Sequence, residues 1–90
     1  MKITFIVVFA HWCPKCNMMM PIVDEIEVLY KEQMEVIRID MEKEIENAED
    51  YGVQIVPTFV IMKEGREIGR MSGMIGEEVL KERIEAAIKN

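Results

Sequence analysis

Ile3-Thr4-Phe5-Ile6-Val7-Val8-Phe9-Ala10-His11-Trp12-Cys13-Pro14-Lys15-Cys16 is the stretch on which the fold turns. Residues 3–9 are Phe and β-branched side chains with almost no polar atoms, the pattern of a buried strand. Pro14 suits the first turn of a helix, where its missing N–H costs nothing, and it disfavours helical geometry at Cys13. Cys13 is therefore expected at a helix N-cap, near unpaired N–H groups and the positive end of the dipole, which favours thiolate over thiol. Cys16 falls one turn further in and should be more buried. Cys13 is placed to attack and Cys16 to resolve.

Bulk properties narrow the options. With 90 residues, half of them hydrophobic, residues 1–90 read as one domain with one core. Its two cysteines would close only a four-residue ring, too short to stabilise much by chain entropy. The pair is thus chemical and not a staple. A net charge of −6 and a pI near 4.8 argue against nucleic acid, since phosphate contacts need clustered Lys and Arg. Met1-Lys2 before an apolar run resembles the start of a leader peptide. The run is short, however, and ends at His11-Trp12 and not at a small-residue cleavage site. Bulky Trp12 also argues against lipidation at Cys13, and no segment is long enough to cross a bilayer. A cytoplasmic monomer is expected.

Beyond the opening strand, a helix is expected over residues 14–31. Cys16, Met19, Met20, Val23, Ile26, Leu29 and Tyr30 lie on its apolar face, and Pro21 introduces a kink. Residues 35–39 read as a second strand. Residues 42–51 read as a short charged helix with Ile45 and Ala48 inward. Pro57 should precede a strand, since it cannot donate to a ladder. Lys63-Glu64-Gly65-Arg66 is a hairpin turn with Gly65 at positive φ, and residues 67–71 form an edge strand. A last helix starts near Glu77 with Leu80, Ile84, Ala87 and Ile88 on one face. The order is βαβαββα, an α/β fold with a four-stranded mixed sheet and helices on both faces.

Three separated motifs now agree: Trp12-Cys13-Pro14-Lys15-Cys16 after a strand, Val56-Pro57-Thr58 before the hairpin, and Gly73 before the last helix. On these the chain resembles the thioredoxin-like superfamily over nearly its whole length. It looks like a small thioredoxin- or glutaredoxin-like member that lacks the extra N-terminal strand and helix of a typical thioredoxin. The resemblance implies a cis proline at Pro57, beside the cysteines. It implies that the Val56 backbone pairs with a substrate chain in strand fashion, that Trp12 packs on the active-site loop, and that Gly73 lets the substrate backbone pass closely. Met74, beside Gly73, is the adaptable apolar contact for substrates. The chain also departs from the family. Val7 and Val36 stand where thioredoxins keep a buried Asp and its Lys partner, the residues between the cysteines are Pro-Lys, and a glutaredoxin's glutathione-binding signature is absent from residues 70–74.

The expected function is a thiol–disulfide oxidoreductase that reduces protein disulfides, with Cys13 and Cys16 catalytic and Trp12, Pro14, Lys15 and Pro57 in support. No metal or organic cofactor is needed, and electrons would come from a flavoprotein reductase or from glutathione. A glutaredoxin-type, glutathione-linked activity is the nearest alternative. A metal or iron–sulfur carrier would need a second chain, because two cysteines and His11 fall short of four ligands. A pure binding module would survive loss of both cysteines. His11 reads as an exposed loop residue, able to take part in proton transfer. Lys15 adds positive charge beside Cys13, which places the couple above a thioredoxin's roughly −270 mV, toward about −200 to −230 mV.

Overall fold

Ile3–Phe9 forms β1, and nearly every side chain along it is buried. A strand that is apolar on both faces has to lie inside a sheet covered on both sides. β1 does so: it pairs in parallel with β2 (Met34–Asp40) and antiparallel with β3 (Thr58–Lys63). β4 (Arg66–Ser72) adds to β3, giving the order β2-β1-β3-β4. The computed structural model describes residues 3–89, and the Met1-Lys2 start that raised the leader-peptide question lies outside them.

Alternation along β1 divides the core in two. Ile3, Phe5 and Val7 face the side covered by α1 (Pro14–Leu29) and α3 (Glu77–Lys89), where Met19, Val23, Ile26, Leu80 and Ile84 meet them. Phe5 stacks on Phe59 of β3 with ring centroids 5.9 Å apart. Ile6 and Val8 face the other side, covered by α2 (Ile45–Asp50) through Ala48 and by Val53. The sheet is mixed, with helices on both faces.

Three details differ from the sequence reading. α1 ends at Leu29 and not near residue 31. Its inward stripe is Met19, Val23 and Ile26, continued by Tyr30; Leu29 lies about a quarter turn off that stripe and is exposed. Tyr30 closes the helix instead, with its ring buried, its N–H on the Ile26 carbonyl and its hydroxyl donating to Glu85 at 2.6 Å. Ile45 is also exposed, not inward. It opens the six-residue α2, and Met41, Tyr51 and Val56 fill the space beside Ala48. The hairpin turn has positive φ at both central residues, 54° at Glu64 and 78° at Gly65. A two-residue turn matched to right-handed strand twist requires both, so Glu64 takes a conformation that Gly65 alone was expected to supply.

Candidate active site

β1 ends at Phe9, and the chain must turn there to enter α1. Ala10 is buried, and its carbonyl accepts the Cys13 N–H at 3.2 Å. That turn sets Cys13 at the N-cap with extended backbone (φ −92°, ψ 111°) and Pro14 at the first helical position. The Cys13 sulfur takes the role a Ser or Asp oxygen usually fills, accepting the Cys16 N–H at 3.2 Å. The sulfur thus lies at the positive end of the α1 dipole.

Both thiols are free and both are buried, Cys13 5% and Cys16 1% exposed. They form a small cluster with Ala10, flanked by Phe9 and Val56. Burial, reinforced by the neighbouring Cys13, pushes the Cys16 thiol up to about 11. The two cysteines therefore differ in environment: Cys13 sits at the N-terminal end of the helix, whereas Cys16 lies one turn inside it and holds its proton more tightly.

The opposite wall comes from the segment before β3. The Val56–Pro57 peptide is cis, and the Val56 carbonyl lies 3.8 Å from the Cys13 sulfur. Thr58 braces this turn: its hydroxyl donates to the Ile55 carbonyl at 2.6 Å and lies 2.9 Å from the Ser72 hydroxyl. Gly73 joins from β4, its N–H on the Pro57 carbonyl at 2.9 Å and its φ at +86°. Cys13, Val56, Pro57 and Gly73 thus meet at one end of the sheet. Around the buried sulfur, Trp12 is 65% exposed and Met74 also stands out.

The sequence reading missed two residues here. Ile55 is an exposed apolar side chain one residue before Val56; a lone Ile before Val-Pro gave no sign that it would face outward. Asp40 is 6% exposed and is the only buried carboxylate among the described residues. The second strand was read as ending at Ile39, yet it runs one residue further, and Asp40 pairs in register with Phe9. An acidic residue closing an apolar strand beside the cysteine end was the available signal. Val7 is fully buried in the core under α1, and Val36 packs against the same core. Among the described residues, no three His, Cys, Asp or Glu side chains converge to hold a metal ion, and no helix is long and apolar enough to cross a membrane.

Residues 1–86 match the family model described as Thioredoxin. The chain is 35% identical over 81 residues to the chloroplast thioredoxin Y1 of Arabidopsis thaliana, a match covering 90% of this chain and 47% of that protein. It thus spans about half the length of the plant relatives it matches. Thioredoxin 1 of Synechococcus elongatus is 32% identical over 72 residues, 80% of this chain and 67% of that one. Among solved structures, the germline-specific thioredoxin Deadhead of Drosophila melanogaster superposes with a TM-score of 0.87 at 28% identity, covering 94% of this chain and 80% of that one. Fold, sequence and structural likeness therefore lead to one conclusion: this chain belongs to the thioredoxin family.

Proposed function

We propose that this protein is a thiol–disulfide oxidoreductase that reduces protein disulfides through Cys13 and Cys16. The observation that carries the reading is the Cys13 sulfur at the α1 N-cap, accepting the Cys16 N–H and facing the Val56 carbonyl. The Cys13 thiolate attacks one sulfur of a substrate disulfide, a mixed disulfide forms, and the first substrate thiol leaves. Cys16 then loses its proton and attacks the Cys13 sulfur. The second substrate thiol leaves, and the protein is left with a Cys13–Cys16 disulfide. Two electrons and two protons pass to the substrate.

Substrate docking fits the same end of the sheet. Val56 and Gly73 offer backbone groups to an extended chain, and Trp12, Ile55 and Met74 offer exposed apolar contacts beside the sulfur. Lys15 adds a charge next to the nucleophile. We assign the protein to the cytoplasm as a monomer, since a dithiol reductant works where thiols are kept reduced. A flavoprotein reductase or glutathione would regenerate it.

Cysteine variants test the reading. Cys13→Ser abolishes reduction of a disulfide-bonded peptide. Cys16→Ser retains the attack and accumulates mixed disulfides on Cys13, which mass spectrometry locates. Adducts found chiefly on Cys16 would reverse the assignment, and unchanged reduction in both variants would end it. Turnover with NADPH and a reductase against turnover with glutathione separates the two electron donors.

A further inference from the structure

His11 was expected to be an exposed loop residue, and its side chain is 68% exposed. It is nevertheless held. Its Nε2 lies 3.0 Å from Oδ2 of Asp40, whose side chain is only 9% exposed. The Phe9 ring meets the imidazole edge-on, centroids 5.4 Å apart at 87°. Asp40 itself is fixed: Oδ1 accepts the Glu42 N–H at 2.9 Å, and its own N–H reaches a Glu44 carboxylate oxygen at 3.4 Å. A preorganised carboxylate therefore grips a ring two residues ahead of the nucleophile, across the gap between the β1–α1 turn and the end of β2. The His11 carbonyl also accepts from the Asn17 side chain at 3.4 Å, so the same residue touches α1.

We propose that the His11–Asp40 pair is a positioning element for the redox turn, holding residues 10–13 against the end of β2 so that Trp12 and the Cys13 sulfur meet a disulfide substrate in one orientation. The pair is strongest when the imidazole carries its proton, because the contact is then charge on charge. Along the chain, the charged residues flanking the pair are Lys15 on the first turn of α1, Arg38 on β2, and Glu42, Lys43 and Glu44 in the β2–α2 turn. The inference rests on the thiol–disulfide reading for its kinetic consequence, though not for its geometry.

Trp12 is the chain's single tryptophan and sits next to His11, so its fluorescence reports order in the turn. Time-resolved anisotropy is measured with Cys13 and Cys16 changed to Ser, which removes quenching by thiolate. The amplitude of fast Trp12 motion should be about twofold higher in His11→Gln and Asp40→Asn than in the parent. It should stay close to the parent's in His11→Lys, which keeps a cation beside Asp40. With the cysteines restored, reduction of a disulfide-bonded peptide, divided by the thiolate absorbance at 240 nm, should fall two- to fivefold in His11→Gln and Asp40→Asn, the range for a partly exposed ion pair. His11→Lys should recover it.

Trp12 motion in His11→Gln indistinguishable from the parent's would overturn the proposal. His11 is exposed, so that variant folds even if Asp40→Asn does not. If Trp12 responds as described while no form reduces the peptide, the thiol–disulfide reading fails and the positioning role stands.

Discussion

Resolution of the mixed disulfide should be limited by the proton on Cys16. That thiol is raised from its ordinary 9.0 to about 11, mainly by burial and then by Cys13. At pH 7 an ordinary thiol is about 1% thiolate; at 11 the share is about 0.01%, a hundredfold loss. Higher basicity makes the anion a better nucleophile by about six- to tenfold over that interval, with a Brønsted slope of 0.4–0.5. The net cost at neutral pH is therefore about tenfold. Once Cys13 is tied up in the mixed disulfide its charge no longer acts on Cys16, but burial, the larger cause, remains. Resolution should thus quicken about tenfold per pH unit from pH 6 to 9. Rapid mixing with excess disulfide peptide, acid quenching and mass spectrometry of the Cys13 adduct would follow its decay. A decay rate that levels off near pH 7 would refute the reasoning, since it would mean that a nearby base takes the proton.

Lys15→Glu places a negative charge beside the Cys13 sulfur, disfavours the reduced thiolate form, and should lower the redox potential by about 30 mV; equilibration in glutathione buffers measures it, and no shift would mean that the turn geometry outweighs the local charge. Tyr30→Phe removes the 2.6 Å bond to Glu85 and should cost about 1 kcal/mol in urea unfolding. Burial, then Glu85, raises the Tyr30 hydroxyl from 10.0 to about 12, so its contribution is present below pH 10 and lost as pH climbs toward 12; the Phe variant should lack that alkaline loss.

Most of the architecture could be read because local and tertiary preferences coincide. β1 is apolar on both faces and had one plausible place, the sheet interior. Pro14 fixes its own φ, and Gly65 permits the positive φ that the hairpin turn needs. The cysteine spacing and Val56-Pro57-Thr58 pointed to one end of the sheet, and Cys13, Val56 and Pro57 do lie together there. The misreadings have a common origin. Leu29 and Ile45 are apolar residues at the ends of helices, where the inward stripe has already been filled by Tyr30 in one case and by Met41 and Tyr51 in the other. Periodicity shows that a side chain could face inward, not that room is left for it. Asp40 and His11 are 29 residues apart in sequence. Their meeting depends on the parallel register of β1 and β2, which nothing local encodes.

β1 has a consequence for how such a protein can diversify. The strand contributes to both halves of the core, pairs on both edges, and leads into Cys13 just beyond its end. A substitution there disturbs both halves of the core and the turn that carries Cys13 together. The rim is different: Trp12, Ile55 and Met74 are exposed and lie outside the strands and helices. A change at one of those side chains alters the surface near Cys13 while leaving the strand beneath it as it was.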